Sequence, residues 1–194
     1  MTDKPFSQAC ENNKRPILDV LEHAFATRKH VLEIGSGTGQ HAVFMSANLP
    51  HLIWQTSDQT EYHGGIQAWL DDENVLNCKS PMTLKIGEQA LPDNLFDGIY
   101  TANTAHIMQR EEVELMMQQV SDVLPPCGVF CQYGPFTEDG EFSSQSNAEF
   151  HASLLERGCG GYRDISELTK WAPKLTLQNV YRMPANNLML VWTK

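Results

Sequence analysis

The sequence predicts an α/β fold: one open, mostly parallel sheet with helices on both faces and an antiparallel hairpin added at one edge. Three observations predict it. Short apolar runs alternate with segments of helical spacing, a glycine-rich turn follows the first run at once, and the last two runs are joined by turn residues with no helix between them. A length of 194 residues suits a single domain, 1–194. At that size a chain can bury roughly 70 % of its unfolded surface, so it needs no disulfide or metal staple.

The elements follow in order. Pro16 leads Ile17, Leu18, Val20, Leu21, Ala24 and Phe25, an amphipathic helix opened by proline in its first turn. His30-Val31-Leu32-Glu33-Ile34 is a buried strand ended by glycines. Residues 40–49 fit a helix that Pro50 stops, and Leu52–Thr56 is a second strand closed by Ser57-Asp58. A helix around Ile66–Leu70 and a strand at Met82–Ile86 come next. Phe96–Ala102 is a fourth strand, and Glu111–Leu124 carries Val113, Met116, Met117, Val120 and Leu124 at helical spacing. After the turn Pro125-Pro126-Cys127-Gly128, Val129–Tyr133 is a fifth strand. Gly134–Gly161 is polar and glycine-rich, with one helical piece near Ala148–Leu155; loops of that length in compact domains are usually functional, and this one is expected to form a lid. A helix at about Ile165–Trp171 precedes strands at Leu175–Arg182 and Leu188–Thr193, and Met183-Pro184-Ala185-Asn186-Asn187 between them is turn chemistry.

Composition narrows the function. A formal net charge of −10, with no basic run beyond Lys14-Arg15, argues against a nucleic-acid binder, whose affinity rests on lysines and arginines against phosphates. No apolar stretch approaches the ~18 residues a membrane span needs, and the first residues lack the apolar core of a secretory signal. A cytoplasmic protein acting on a small molecule is expected. The five cysteines form no C-x-x-C pair, so no zinc site or disulfide framework is indicated; Cys127 and Cys131 read as buried free thiols.

The turn Glu33-Ile-Gly35-Ser-Gly37-Thr-Gly39 lies between strand and helix, where open α/β sheets bind ligands. A dinucleotide fingerprint would place its third glycine at position 40, where this chain has Gln40, and no Lys-Ser/Thr pair follows as in a P-loop. Glu33 would repel a pyrophosphate but not a cationic group. Asp58, at the end of the second strand, can accept hydrogen bonds from both hydroxyls of a ribose, or cap the following helix. These features favour a sulfonium-bearing adenosyl ligand over a dinucleotide.

At this point the chain resembles the class I S-adenosylmethionine-dependent methyltransferases over nearly its whole length. It is similar, more narrowly, to the small family that includes methyltransferase-like protein 26. The segments that carry this likeness are Ala9…Glu11…Asn13-Lys14…Pro16-Ile17-Leu18, Asn103…His106-Ile107, Tyr133-Gly134-Pro135-Phe136, Ser146-Asn147…Phe150…Ser153-Leu154 and Met183-Pro184-Ala185-Asn186-Asn187-Leu188. The resemblance implies a Rossmann-like seven-stranded sheet of order 3-2-1-4-5-7-6 and S-adenosylmethionine as cofactor. It also implies that Glu33, Gly35, Ser36, Gly37 and Gly39 hold the methionine part and Asp58 the ribose. Gln59 and Ile86 would lie against the adenine, with Asn103 supporting the cofactor from the end of the fourth strand. The sequence departs from the family at Lys85, where an acid is usual, and at Asn12, where an arginine is.

The expected activity is methyl transfer to a small molecule; the competing reading is a cofactor-binding module that acts through a protein partner. His106, just after the fourth strand, is the candidate base, or else packs at the start of the next helix. Tyr133 ends the fifth strand on the same rim, and Asn147 either joins the site or caps the helix near Ala148. Phe136 and Phe150 would wall an acceptor pocket or serve as core, and His41 faces either cofactor or solvent. No metal ligand set is evident.

Overall fold

The computed structural model describes residues 4–93 and 95–194. Its seven-stranded sheet takes shape as follows. β1 (His30–Ile34) is central and pairs in parallel with β2 (Ile53–Asp58) on one side and β4 (Gly98–Ala102) on the other. β3 (Cys78–Thr83) extends the β2 edge, and β5 (Val129–Gly134) extends β4. The hairpin of β8 (Thr176–Met183) and β9 (Asn187–Thr193) completes the sheet, with β9 antiparallel to β5. The order is β3-β2-β1-β4-β5-β9-β8. Counting only these seven strands gives the expected 3-2-1-4-5-7-6. A separate pair, β6 (Phe136–Thr137) and β7 (Arg163–Asp164), lies beside the end of β5.

Alternation along the strands divides the core into two layers. Val31, Trp54, Tyr100, Cys131 and Met189 pack against α1 (Gln8–Ala24), α2 (Gln40–Asn48) and α3 (His63–Glu73). Leu32, Ile34, Ile99, Phe130, Leu190 and Trp192 pack against α4 (Arg110–Val123) and α6 (Ile165–Trp171). The remaining helix, α5 (Gln145–Glu156), begins at Ser144, whose side chain accepts from the amide of Asn147. Asn147 is therefore not the cap. Among the described residues no helix is long and apolar enough to cross a membrane.

Three element expectations need correction. α1 starts at Gln8, capped by Ser7, and Pro16 lies inside it rather than at its first turn. Residues 8–15 show no apolar stripe because their inward side is polar: Asn13 is buried against His41, and Gln40 binds both the amide and the carbonyl of Ser7. Tertiary hydrogen bonds thus extend the helix where hydrophobic periodicity is silent. The third strand is Cys78–Thr83 rather than Met82–Ile86, an edge strand with Pro81 in it; the buried Leu84 and Ile86 belong to the loop beyond. Cys131 is buried as expected, but Cys127 is exposed, in a turn where it adopts φ +64°.

Gly39 caps α2 at φ +91°, and a Cβ there would lie 3.0 Å from the Cα of Ile66 in α3. Gly64, within α3, has open space around its Cβ position. Gly39→Ala is expected to lower stability by about 2 kcal/mol, whereas Gly64→Ala raises it by roughly 0.5 kcal/mol, both read from urea unfolding midpoints.

Candidate functional site

The site forms where the carboxyl ends of β1, β2, β4 and β5 meet the loops above them. In the turn after β1, the amides of Gly35 and Ser36 both donate to the Ser57 carbonyl, at 3.1 and 2.9 Å. The Gly37 amide donates to Asp58 Oδ2 at 2.7 Å, and the Gly39 amide to the Ser36 carbonyl at 2.9 Å. The other Asp58 oxygen accepts from Gln59 N at 2.8 Å. Each carboxylate oxygen keeps a second lone pair for a ligand. Desolvation raises the Asp58 pKa, opposed by the two amide bonds. Gly35 has φ +74°, and a Cβ would come within 2.7 Å of Thr104 Cγ2.

Glu33 is placed differently from expectation. Its side chain points into the core, where Oε2 accepts from Ser36 Oγ at 2.8 Å and from Trp54 Nε1 at 3.1 Å. It is 2 % exposed, and desolvation pushes its pKa up to about 7. Neither Glu33 nor Gly39 reaches a cavity wall. Glu33 braces the turn from beneath, and Gly39 lets α2 approach α3.

Two cavities open on either side of Gly35. The smaller, about 150 Å³, is bounded by Asp58, Gln59, Leu84, Lys85, Ile86 and Glu112 among others. Asp58, Gln59 and Ile86 thus come together as the sequence indicated, with Lys85 beside them. The larger, about 620 Å³, takes Gly35, Ser36 and Gly37 from the turn, Asn103 and His106 from the loop after β4, Tyr133 from β5 and Asn147 from α5. Volumes of this order hold small-molecule ligands.

Around the larger cavity, His106 is 7 % exposed and neutral, its pKa lowered to about 4 by burial and by the nearby Arg157 charge. Its ring stands 5.9 Å from that of Phe150 and 6.5 Å from that of Tyr162, both tilted to it. The amides of Gly160 and Gly161 donate to the carbonyls of Ile107 and His106, which fixes this loop. Asn103 adopts φ +58° and donates its amide to the Tyr133 carbonyl at 2.9 Å. Tyr133 has the amide groups of Asn13 and Asn187 beside its hydroxyl. Asn147 Nδ2 donates to Ser143 Oγ at 2.9 Å and to the Asn186 carbonyl at 3.1 Å. Phe136 is core, while Phe150 is a wall.

His41 borders the larger cavity with both ring nitrogens engaged by the protein. Its Nε2 donates to Asn13 Oδ1 at 2.7 Å and its Nδ1 accepts from Tyr100 Oη at 3.4 Å, in a neutral ring whose pKa burial lowers to about 4. The sequence reading missed several wall residues: Ser7, Cys10 and Asn13 of the early α1, Thr38, and Tyr162. Tyr162 follows a glycine pair in the presumed loop, and nothing in its spacing signals a site. Among the described residues no cluster of His, Cys, Asp and Glu could hold a metal ion.

This sheet order, with ligand-sized cavities at its carboxyl edge, defines a Rossmann-like methyltransferase fold, and solved structures share it. An O-methyltransferase family 2 protein from Planctomyces limnophilus, in complex with apigenin, superposes with a TM-score of 0.82 at 15 % identity, over 96 % of this chain and 58 % of its own. Human N-acetylserotonin methyltransferase in complex with SAM gives 0.81 at 12 % identity, over 96 % and 53 %. A Nostoc punctiforme protein described as a candidate O-methyltransferase gives 0.80 at 12 % identity, over 95 % and 56 %. The chain thus spans little more than half the length of these proteins. The family described as "Protein of unknown function (DUF938)" matches residues 4–194, and the chain belongs to it.

Glu33 supplies a pH test. A free carboxyl titrates near 4.5 and this one near 7, so the folded state holds its proton more tightly than the unfolded chain does. The stability this confers is present below pH 4.5 and is lost as pH rises through 7. Between pH 4.5 and 8 the wild type is expected to lose roughly 3 kcal/mol relative to Glu33→Gln, measured by urea unfolding at each pH.

Proposed function

We propose that this protein is an S-adenosylmethionine-dependent methyltransferase acting on a small molecule. The observation that carries the reading is the occupied glycine turn: the amides of Gly35, Ser36 and Gly37 are already bonded to Ser57 and Asp58. A phosphate-binding turn leaves such amides free for the anion. This one has none of the three to offer, and a carboxylate stands beside it.

The residues fit an adenosyl sulfonium ligand. Asp58 can take the ribose hydroxyls with its remaining lone pairs, and Gln59 and Ile86 border the small cavity expected to receive the adenine. Gly37, at φ +57°, has nothing within 4 Å of its Cβ position and borders the large cavity, with Ser36 and Asn103 beside it. When bound, S-adenosylmethionine supplies a methyl group made electrophilic by the sulfonium. Glu33 and Gly39 shape the turn rather than touch the ligand. In the same reading His106 is the catalytic base, neutral and ready to accept a proton, with Tyr133 and Asn147 orienting the acceptor and residues 134–161 forming its cover.

Two further supports exist. One comes from neighbours of the same fold: human N-acetylserotonin methyltransferase is solved with SAM, and PigF with SAH. The other is convergence. The segments that carry the likeness to the methyltransferase-like protein 26 family are far apart in sequence, yet Asn13, Asn103, His106, Tyr133, Pro135, Asn147, Phe150 and Asn187 all border the large cavity. The finer kinship with that family, and the treatment of the chain as one methyltransferase domain, are part of this proposal.

Calorimetric titration tests it. S-adenosylhomocysteine is expected to bind the full chain, Asp58→Ala to weaken that binding about 100- to 1,000-fold, on the order of two hydrogen bonds to a charged group, and His106→Ala to spare it. Binding of NADH without S-adenosylhomocysteine would overturn the reading.

A further inference from the structure

The two cavities differ in charge. The smaller is bordered by Asp58, Lys85 and Glu112. Among the described residues the wall of the larger contains no aspartate, glutamate, lysine or arginine, in a chain that has 24 acidic and 14 basic residues. Its histidines, His41 and His106, are both held neutral by burial. The polarity of this wall comes mainly from five asparagines, Asn12, Asn13, Asn103, Asn147 and Asn187. At the acceptor end Arg157 is exposed and sits outside the wall, 5.9 Å from the Phe150 ring centroid, and the buried Arg163 turns its Nη2 to the Gly161 carbonyl.

The methionine part of the cofactor brings its own ammonium and carboxylate pair, but at the acceptor end, between His106, Phe150 and Tyr162, a lone carboxylate, phosphate or ammonium group of an acceptor meets no charged wall side chain and would be stranded. The shape of that end is equally specific. The rings of His106, Phe150 and Tyr162 stand 5.9 to 6.5 Å apart with mutual tilts of 55° to 71°, and Ile107 and Pro135 join them. Rings at these spacings pack edge-to-face on one another and together present one aromatic wall against which a flat π-system can lie. Asn147 adds direction. Both hydrogens of its amide are engaged by Ser143 and the Asn186 carbonyl, so the polar atom it has left for a ligand is the acceptor Oδ1.

The base narrows the reacting group. A neutral imidazole whose conjugate acid titrates at about 4 is a weak base. Taking a proton from a phenol, with a pKa of about 10, is less unfavourable than taking one from a water-like alcohol, at about 15.7, by between five and six orders of magnitude.

Resting on the methyltransferase reading, we infer that the acceptor is an uncharged planar ring compound methylated on a phenol-type hydroxyl, with Asn147 selecting a second O–H or an N–H on the ring. The step balances. A lone pair of the hydroxyl oxygen forms the new O–CH3 bond as the S–CH3 bond breaks, the bonding pair stays on sulfur to give a neutral thioether, and the hydroxyl proton passes to His106 and then to solvent.

The experiment uses the full chain with methyl-labelled S-adenosylmethionine and a matched panel: 2-naphthol, 2,7-dihydroxynaphthalene, 4-hydroxybenzoate, tyramine and cyclohexylmethanol. Label is expected as methyl ether on the two naphthols, at least tenfold faster than on the anionic, cationic or aliphatic members. The dihydroxy compound is expected to exceed 2-naphthol about tenfold in kcat/KM, and Asn147→Ala to erase that ratio while S-adenosylhomocysteine affinity, measured in parallel, stays unchanged and reports an intact fold. Affinity for S-adenosylhomocysteine together with preferred transfer to a charged or aliphatic acceptor, or with transfer to none of the panel, would overturn this inference and leave the cofactor reading standing. Loss of that affinity in the wild type would sink the cofactor reading itself.

Discussion

Three consecutive amides of the turn after β1 are tied to the end of β2, two to the Ser57 carbonyl and one to the Asp58 carboxylate. Most of the site's geometry depends on this junction. It holds Asp58 beside Gly35, so the two cavities meet at a fixed point, and it sets the direction in which α2 leaves the sheet. Its underside is braced by a second set of bonds: Ser36 Oγ to Glu33, Ser57 Oγ to the Glu33 carbonyl at 2.5 Å, and the Ser57 amide to Ser36 Oγ at 3.1 Å. Buried polar groups are costly unless partnered, and here each one is partnered by another part of the same junction. A left-handed glycine backbone, intrinsically permissive, is thereby made rigid.

The polar groups beneath the larger cavity follow the same logic. His41, Asn13 and Tyr100 form a buried chain of hydrogen bonds that anchors the early part of α1 to α2, and Gln40 adds bonds to Ser7 and Glu11. Position 40, where a dinucleotide-binding turn would need glycine, instead carries the side chain that fastens the first helix over the site. Gln40 thereby holds in place the early α1 residues Cys10 and Asn13, which border the larger cavity.

The fold was largely legible in the sequence because its signals are local and strong. The run His30–Ile34, the glycines that end it, the spacing of Val113 to Leu124 and the turn at Pro184–Asn187 each encode an element in their own neighbourhood. The proximity of Gly35, Gly37 and Asp58 was legible because spacing along the chain decides it. Reading failed where a residue's partner is distant. The helical start of α1 depends on Gln40, 33 residues from Ser7, and the inward turn of Glu33 depends on Trp54. Asn147 could be read as a cap as well as a site residue because asparagine favours that position, but the helix begins earlier, and Ser144 caps it by accepting from the Asn147 amide. Tyr162 joins His106 only because Gly160 and Gly161 dock on the loop after β4, and no periodicity announces such a contact.

The position of β9 carries a consequence for how the molecule is made. β9 lies between β5 and β8, although β8 precedes it along the chain. As the nascent chain lengthens, β8 lacks its partner strand until β9 is made, and until then the open side of β5 lacks its own. The cavity's last wall, Pro184 to Asn187, sits at the head of this hairpin. The larger cavity can therefore close only once β9 is made and paired with β5. A partly synthesised chain would hold Asp58 and the glycine turn yet lack the surface that completes the larger cavity.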